Sequence, residues 1–217
     1  REAFEQPVEV FEEILDKKDE EYLEEMKMID NWIYEELKKD IGVERYNHSL
    51  LVMETSVELA EFYNAPIEEA KLAGLLHDCG KFQDKTKILK TIAEFDIILD
   101  SIMEKNTALA HCPLGEFIAR EKYNIKNENI LNAIRYHTTG RENMGLIEKI
   151  VFIADLIEPS RKFPGVEEIR KLAYENLNKA IILAVDNNIQ FVIKQNHLLH
   201  LDTIKARNYL IISEDME

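Results

Sequence analysis

The helical spacing of apolar residues is the feature of this sequence that most restricts its fold. No run alternates apolar and polar residues for long enough to predict a strand. Only 7 glycines and 5 prolines occur, and Pro66, Pro113 and Pro159 stand where helical stretches would begin or end. We therefore predict an all-α chain, a single helical bundle without internal repeats or low-complexity segments.

An acidic leader precedes this bundle. Residues 1–40 contain 15 Asp or Glu against 6 Lys or Arg, a net charge of −9, which leaves −6 of the total −15 for residues 41–217. Apolar residues in the leader recur at spacings of three or four, at Tyr22, Met26, Ile29, Ile33 and Leu37. We expect an amphipathic helix that packs on its own domain, with a partner-binding or dimerising arm as the alternative. The predicted boundaries are a leader at 1–42 and a main domain at 43–217.

The net charge and the cysteines restrict partners and location. A charge of −15 at pH 7 repels nucleic acid and anionic lipid, so we expect neither as a partner. The longest apolar stretch, 150–157, is far shorter than the roughly 20 residues that span a bilayer. Cys79 and Cys112 form no CxxC pair, and no signal-peptide pattern opens the sequence, which indicates a reducing, cytoplasmic setting. We expect both cysteines to be packing residues.

Two aspartates lie where the sequence is otherwise apolar. Asp78 follows His77 at the end of the apolar run 72–76, and Asp155 interrupts the run 150–157. An unpaired carboxylate in such surroundings is strongly disfavoured. A metal ion is the simplest compensating charge.

The histidines extend this pattern. A single histidine on a helix is more often a core residue than a ligand, but four of them accompany the two aspartates: His48, His77, His111 and His137. Imidazole with carboxylate suits iron, manganese or zinc better than calcium. Six ligands exceed the needs of one tetrahedral ion, which favours two ions about 3.5–4 Å apart with a bridging carboxylate and an activated hydroxide. Spacing alone does not prove this arrangement.

The ordered ligand set resembles that of the HD-domain metal-dependent phosphohydrolases, an all-helical superfamily. Segments 133–141, 154–166 and 202–208 are similar to the YqeK-type subgroup, the symmetrical bis(5'-nucleosyl)-tetraphosphatases. The resemblance runs from about Arg45 to Leu210. It implies hydrolysis of diadenosine tetraphosphate to two ADP at a centre of two divalent metal ions. The implied preferred metal is iron, with manganese, nickel or zinc as substitutes.

The resemblance also implies roles for individual residues. His48, His77, Asp78 and Asp155 would hold one metal, and Asp78 would bridge to a second metal held by His111 and His137. A metal-bridged hydroxide would attack an inner phosphorus. Lys81 would contact the transferred phosphate or protonate the leaving oxygen, so Asp78 and Lys81 are the predicted catalytic residues.

A polyanionic substrate entering an acidic protein requires local cations and hydroxyls. The predicted phosphate contacts are Thr138, Thr139, Arg135, Arg141 and Arg161. For each arginine, an ion pair with one of the many acidic residues is the alternative. His197 and His200 lie outside the ligand pattern and receive no role.

Two other functions are compatible with the sequence. One is a different HD-type nucleotide phosphohydrolase, such as a 5'-nucleotidase or a hydrolase of guanosine polyphosphates. The other is a non-catalytic nucleotide-sensing protein with a structural metal site. In each case the expected partner is a small-molecule nucleotide, and the apolar helices are compatible with a homodimer.

Overall fold

The structure, a computed structural model, describes residues 31–82, 84–106 and 108–214. Within these ranges it contains eleven helices and no strand, which confirms the predicted all-α class. The helices are α1 (31–41), α2 (Val43–Phe62), α3 (Ile67–Leu76), α4 (Lys85–Glu94), α5 (Ser101–Lys105), α6 (His111–Glu121), α7 (Glu128–Tyr136), α8 (Leu146–Ile157), α9 (Val166–Ala173), α10 (Leu177–Lys194) and α11 (Leu201–Glu214). None of these described helices combines the length and apolarity needed to cross a bilayer.

Helix α8 is central to the bundle. It contacts α2, α3, α7, α9 and α10, and because neighbours cover several of its sides, most of its positions are apolar. Ile150, Val151 and Ile153 are fully buried, and burial of each such side chain contributes roughly 1.5–3 kcal/mol relative to exposure. Asp155 is therefore carried by a firmly packed element.

The ends of three helices bring histidines to the same region. His77 and His137 directly follow the last residues of α3 and α7, and His111 is the first residue of α6. Helix α7 contacts both α3 and α6, while α2 contacts α3 and α8. This packing places His48 of α2 beside the residues at the helix ends.

The turn after α3 packs directly on the start of α6. A Cβ atom on Gly80 would lie 2.2 Å from the carbonyl oxygen of His111 and 2.7 Å from the backbone nitrogen of Gly115. The neighbouring Cys79 thiol donates to the Gly115 carbonyl at 3.3 Å. The absence of a side chain at position 80 thus sets how closely the turn approaches His111.

The described part of the leader packs on the bundle. Ile33 and Leu37 belong to the main hydrophobic core, and Lys122 of the segment after α6 lies 2.9 Å from Glu36 and 2.6 Å from Asp40. Three residues of the predicted apolar stripe lie outside the described residues, namely Tyr22, Met26 and Ile29. The domain boundary at residue 42 stays a prediction.

Candidate metal centre

One half of the centre is built on Asp155. Its Oδ1 atom lies 2.9 Å from His48 Nε2 and 3.8 Å from His77 Nε2. His77 is fully buried and its Nε2 lies 3.6 Å from Asp78 Oδ2. Four residues from two helices and one turn therefore direct nitrogen and oxygen atoms into a shared space.

The other half of the centre uses the second oxygen of Asp78. Oδ1 lies 3.5 Å from His111 Nε2 and 3.3 Å from His137 Nε2, and these two nitrogens are 3.1 Å apart. All three residues are buried. The structure thus brings the six predicted ligands together, with Asp78 presenting one carboxylate oxygen to each half.

The backbone determines how three of the histidines present their nitrogens. Nδ1 of His77, His111 and His137 lies 2.7, 2.5 and 2.7 Å, respectively, from the carbonyl oxygen of the residue three positions earlier. A carbonyl oxygen only accepts hydrogen bonds, so Nδ1 carries the proton and Nε2 of the neutral ring has a lone pair. The lone pairs of His111 and His137 consequently face each other.

These lone pairs, together with the Asp78 carboxylate, make a centre rich in acceptors. Among the described residues, buried His77 Nε2 has no hydrogen-bond partner, and buried Asp78 Oδ1 has only the Lys81 ammonium, 3.0 Å away; an unsatisfied buried polar group costs about 1–3 kcal/mol. A cation that accepts lone pairs from nitrogen and oxygen would relieve both problems. The donor set of imidazole and carboxylate fits a divalent transition metal.

His48 is oriented differently from the other three histidines. Its Nδ1 lies 3.1 Å from Oε1 of Glu158, a buried carboxylate that also accepts hydrogen bonds from the backbone and hydroxyl of Ser160. A carboxylate on the far nitrogen fixes the tautomer and raises the basicity of the ring as a metal ligand. Glu158 is not among the residues predicted from the sequence; the available signal was a second acid closely following Asp155 at the end of α8.

Three cations surround the carboxylates. Arg45 Nη1 lies 2.7 Å from Asp78 Oδ2, Lys81 Nζ lies 3.0 Å from Asp78 Oδ1, and Arg161 Nη2 lies 2.5 Å from Asp155 Oδ1. Their side chains are 40%, 31% and 38% exposed, so their charged ends can also meet a solute. Arg45 was missed because its contact with Asp78 joins residues 33 positions apart.

The model of the HD domain family matches residues 45–160, just over half of the chain. The chain belongs to the HD domain family. The matched range contains the adjacent His77 and Asp78, hereafter called the HD pair, together with all six predicted ligands and Lys81.

Relatives of known description extend the likeness over most of the chain. The chain is 42% identical to a symmetrical bis(5'-nucleosyl)-tetraphosphatase of Halalkalibacterium halodurans, covering 82% of this chain and 95% of the relative. It is 39% identical to a protein of the same description from Bacillus subtilis, covering 81% and 94%. The crystal structure of a predicted HD superfamily hydrolase involved in NAD metabolism from Clostridium acetobutylicum is 46% identical, with a TM-score of 0.80, covering 84% of this chain and 97% of that chain.

Two of the predicted phosphate-binding arginines have acidic partners away from the HD pair. Arg135 Nη1 lies 2.5 Å from Glu116 Oε2. Arg141 donates from Nε and Nη2 to Glu148 at 2.7 and 2.6 Å. For Arg135 and Arg141 the structure thus contains the ion pairs that the sequence analysis gave as the alternative. Of the three arginines, Arg161 alone contacts predicted metal ligands in the structure.

The two predicted threonines also have partners within the chain. Thr139 is buried and donates its hydroxyl to the Gly140 carbonyl at 2.9 Å. Thr138 is half-buried, and its Oγ1 lies 3.4 Å from Cys112 Sγ. Phosphate contacts by either threonine stay predictions.

Burial and neighbouring charges shift the ionisation of the HD pair. Burial lowers the pKa of His77 to about 4, against the opposing effect of Asp78. Burial alone would raise the pKa of Asp78, but the neighbouring His77 ring and Lys81 outweigh it and hold that pKa well below its usual range. The pair thus favours an uncharged imidazole beside a charged carboxylate, the protonation states that bind metals.

Acid should destabilise the metal-free protein through His77. Because folding lowers its pKa from 6.5 to about 4, the unfolded chain binds the proton more readily. Stability is therefore lost as the pH falls from 6.5 towards 4, by about 3 kcal/mol for this one group. Urea unfolding of chelator-treated protein between pH 7 and pH 4 measures the loss.

Two variants isolate this contribution. His77→Gln should reduce the pH dependence of the free energy of unfolding by about 3 kcal/mol, whereas His197→Gln, at an exposed histidine, should leave it unchanged. Identical pH dependence in the wild type and in His77→Gln would contradict the assignment.

Proposed function

We propose that this chain is a symmetrical bis(5'-nucleosyl)-tetraphosphatase, which hydrolyses diadenosine tetraphosphate to two ADP. The observation that carries the proposal is the gathering of four histidines and two aspartates at the HD pair. The two relatives named for this activity match this chain over more than nine-tenths of their own length. That extent of similarity favours this activity over the other HD-type chemistries.

The proposed ligands divide into two sets that share Asp78. His48, His77, Asp78 and Asp155 would hold one divalent ion, and Asp78, His111 and His137 would hold a second. Iron is the first candidate, with manganese, nickel or zinc as substitutes. Bound ions would supply positive charge to phosphoryl oxygens and promote ionisation of the attacking water.

The cations beside the centre have a role in binding substrate. Arg45 and Lys81 flank the two oxygens of Asp78, and Arg161 lies against Asp155. Their partly exposed side chains would neutralise inner phosphates of a polyanionic substrate, which the net charge of −15 would otherwise repel. The local charge thus allows an acidic protein to bind a tetraphosphate.

Lys81 is the proposed proton donor in the reaction. Water attacks an inner phosphorus and loses one proton to solvent, the central P–O bond breaks, and the leaving ADP oxygen takes a proton from the Lys81 ammonium, which regains it from solvent. One substrate and one water then give two ADP. His48 is held in place by Glu158 during this step, so its Nε2 stays directed at Asp155.

Location and assembly belong to the same proposal. We infer a cytoplasmic protein that binds a small nucleotide and forms a homodimer. The support is that Cys79 and Cys112 form no CxxC pair, together with the apolar helices and the amphipathic spacing of the leader. Sedimentation of the full chain, and of a chain lacking residues 1–30, measures the contribution of the leader to assembly.

Product analysis tests the activity directly. Purified protein is loaded anaerobically with Fe(II) and given diadenosine tetraphosphate, and we expect ADP as the sole nucleotide product at two equivalents per substrate. AMP with ATP in equal amounts would contradict symmetrical cleavage. Faster turnover of AMP or of a guanosine polyphosphate than of the dinucleotide would favour a different HD-type hydrolase.

A further inference from the structure

Cys112 lies against the half of the centre formed by His111 and His137. Its Sγ is 3.4 Å from His111 Nε2, and the Cys112 side chain is fully buried. The donor atoms of His111, Cys112 and His137 all lie within 4.8 Å of one another. Cys112, which the sequence analysis predicts to be a packing residue, thus lies close to the ligand nitrogens of His111 and His137.

Four distances within this group are close to those between ligands of one metal ion. With metal–nitrogen bonds of about 2.0–2.1 Å and a metal–sulfur bond of about 2.3 Å, the corners of a tetrahedron are about 3.3–3.6 Å apart. The two histidine nitrogens are 3.1 Å apart, and the sulfur is 3.4 Å from His111 Nε2. Asp78 Oδ1 lies 3.5 and 3.3 Å from the nitrogens of His111 and His137.

An independent observation concerns Oδ1 of Asp78. This buried oxygen accepts no well-aligned hydrogen bond, lies 3.0 Å from the Lys81 ammonium and faces the same two nitrogens. His111 and His137 cannot donate to it from Nε2, because each ring carries its proton on Nδ1. The aspartate oxygen and the two histidines therefore define a cation position that Cys112 adjoins.

Charge is distributed unequally between the two halves of the centre. The half containing His48 and His77 has Asp155 and a share of Asp78, whereas the half containing His111 and His137 has only a share of Asp78. A thiolate would supply the missing negative charge, because cysteine binds metals as the anion.

We propose that Cys112 Sγ is the fourth donor to the ion held by Asp78, His111 and His137. The proposal rests on the metal centre of the proposed function and adds a sulfur ligand to it. Soft thiolate donors favour zinc, cobalt and iron(II) over manganese and magnesium. The half of the centre with His111 and His137 is therefore expected to prefer a different group of metal ions from the half with His48 and His77, whose ligands are all nitrogen and oxygen.

Cobalt(II) provides a test that does not depend on turnover. Metal-free full chain loaded with cobalt should show a near-ultraviolet thiolate-to-cobalt charge-transfer band. Cys112→Ser should lose this band, keep the visible bands of the cobalt bound by nitrogen and oxygen, and bind its second cobalt equivalent at least about tenfold more weakly. Cys79→Ser is the matched control. Both thiols are buried and hydrogen-bonded, Cys79 to the Gly115 carbonyl and Cys112 to the Thr138 hydroxyl, but among the described residues only Cys112 belongs to a group that could hold a metal ion.

The possible results distinguish the sulfur ligand from the metal centre on which it depends. Two bound cobalt ions without a charge-transfer band would overturn the sulfur ligand and leave the metal centre standing. A band that survives in both Cys112→Ser and Cys112→Ala would also overturn it, as would loss of the band in Cys79→Ser alone. Failure of the wild type to bind cobalt would overturn the centre itself.

Discussion

Replacing Asp78 with asparagine should abolish nearly all hydrolysis of diadenosine tetraphosphate, by at least about a thousandfold. The side chain keeps its shape but loses the charge that faces His77 on one side and His111 with His137 on the other. Steady-state rates and elemental analysis of the purified variant measure the effect. We expect the metal content to fall by at least one equivalent per chain.

The fold should survive this substitution. Asparagine matches aspartate in size, and the ion-pair partners Arg45 and Lys81 are partly exposed and can be solvated. Asp96→Asn is the matched control, because Asp96 is exposed at a positive φ of 49° that asparagine also tolerates. A fully active Asp78→Asn variant with unchanged metal content would remove Asp78 from the mechanism.

Gly80→Ala should reduce the free energy of unfolding by at least about 3 kcal/mol, at the upper end of overpacking effects. The new Cβ would lie 2.2 Å from the His111 carbonyl oxygen and 2.7 Å from the Gly115 nitrogen. Both are backbone atoms, so relief requires moving α6 away from the HD pair. Urea unfolding measures the loss, and metal analysis should show weaker binding through the displaced His111.

Gly145→Ala is the control for the clash. A Cβ there would meet only Glu148 Oε1, at 3.5 Å, and the backbone φ of −70° suits alanine. Because Gly145 is the N-cap of α8, we expect a change of less than about 1 kcal/mol. Equal stability losses in the two variants would show that the contact between the turn and α6 has no special importance.

The fold class was predictable because it depends on local patterns. Helical spacing, few glycines and prolines, and capping residues act over a few positions. Asn127, for example, accepts from the Asn129 backbone at the start of α7, as its residue type leads one to expect. The apolar surroundings of Asp78 and Asp155 also marked them as carboxylates that need a partner, whereas the full set of six predicted ligands rests on the resemblance to the HD-domain phosphohydrolases.

Contacts between distant segments could not be read from the sequence. Glu158 contacts His48 across 110 positions, and its place shortly after Asp155 does not show which residue it pairs with. The same holds for Arg135 and Arg141, since pairing with Glu116 or Glu148 depends on how α6, α7 and α8 pack. The sequence identified side chains that require an oppositely charged or hydrogen-bonding partner. It did not show which residue is that partner.

The imidazole rings of His77, His111 and His137 are oriented by the backbone turn on which each of them lies. The carbonyl oxygen three positions earlier fixes each ring, so the direction of the ligand is encoded within four consecutive residues. Surrounding loops can then diverge without misaligning these donors. In a designed protein, such four-residue units placed at other helix ends would keep both the histidine and the orientation of its ring. Only His48 would also require a distant carboxylate, that of Glu158.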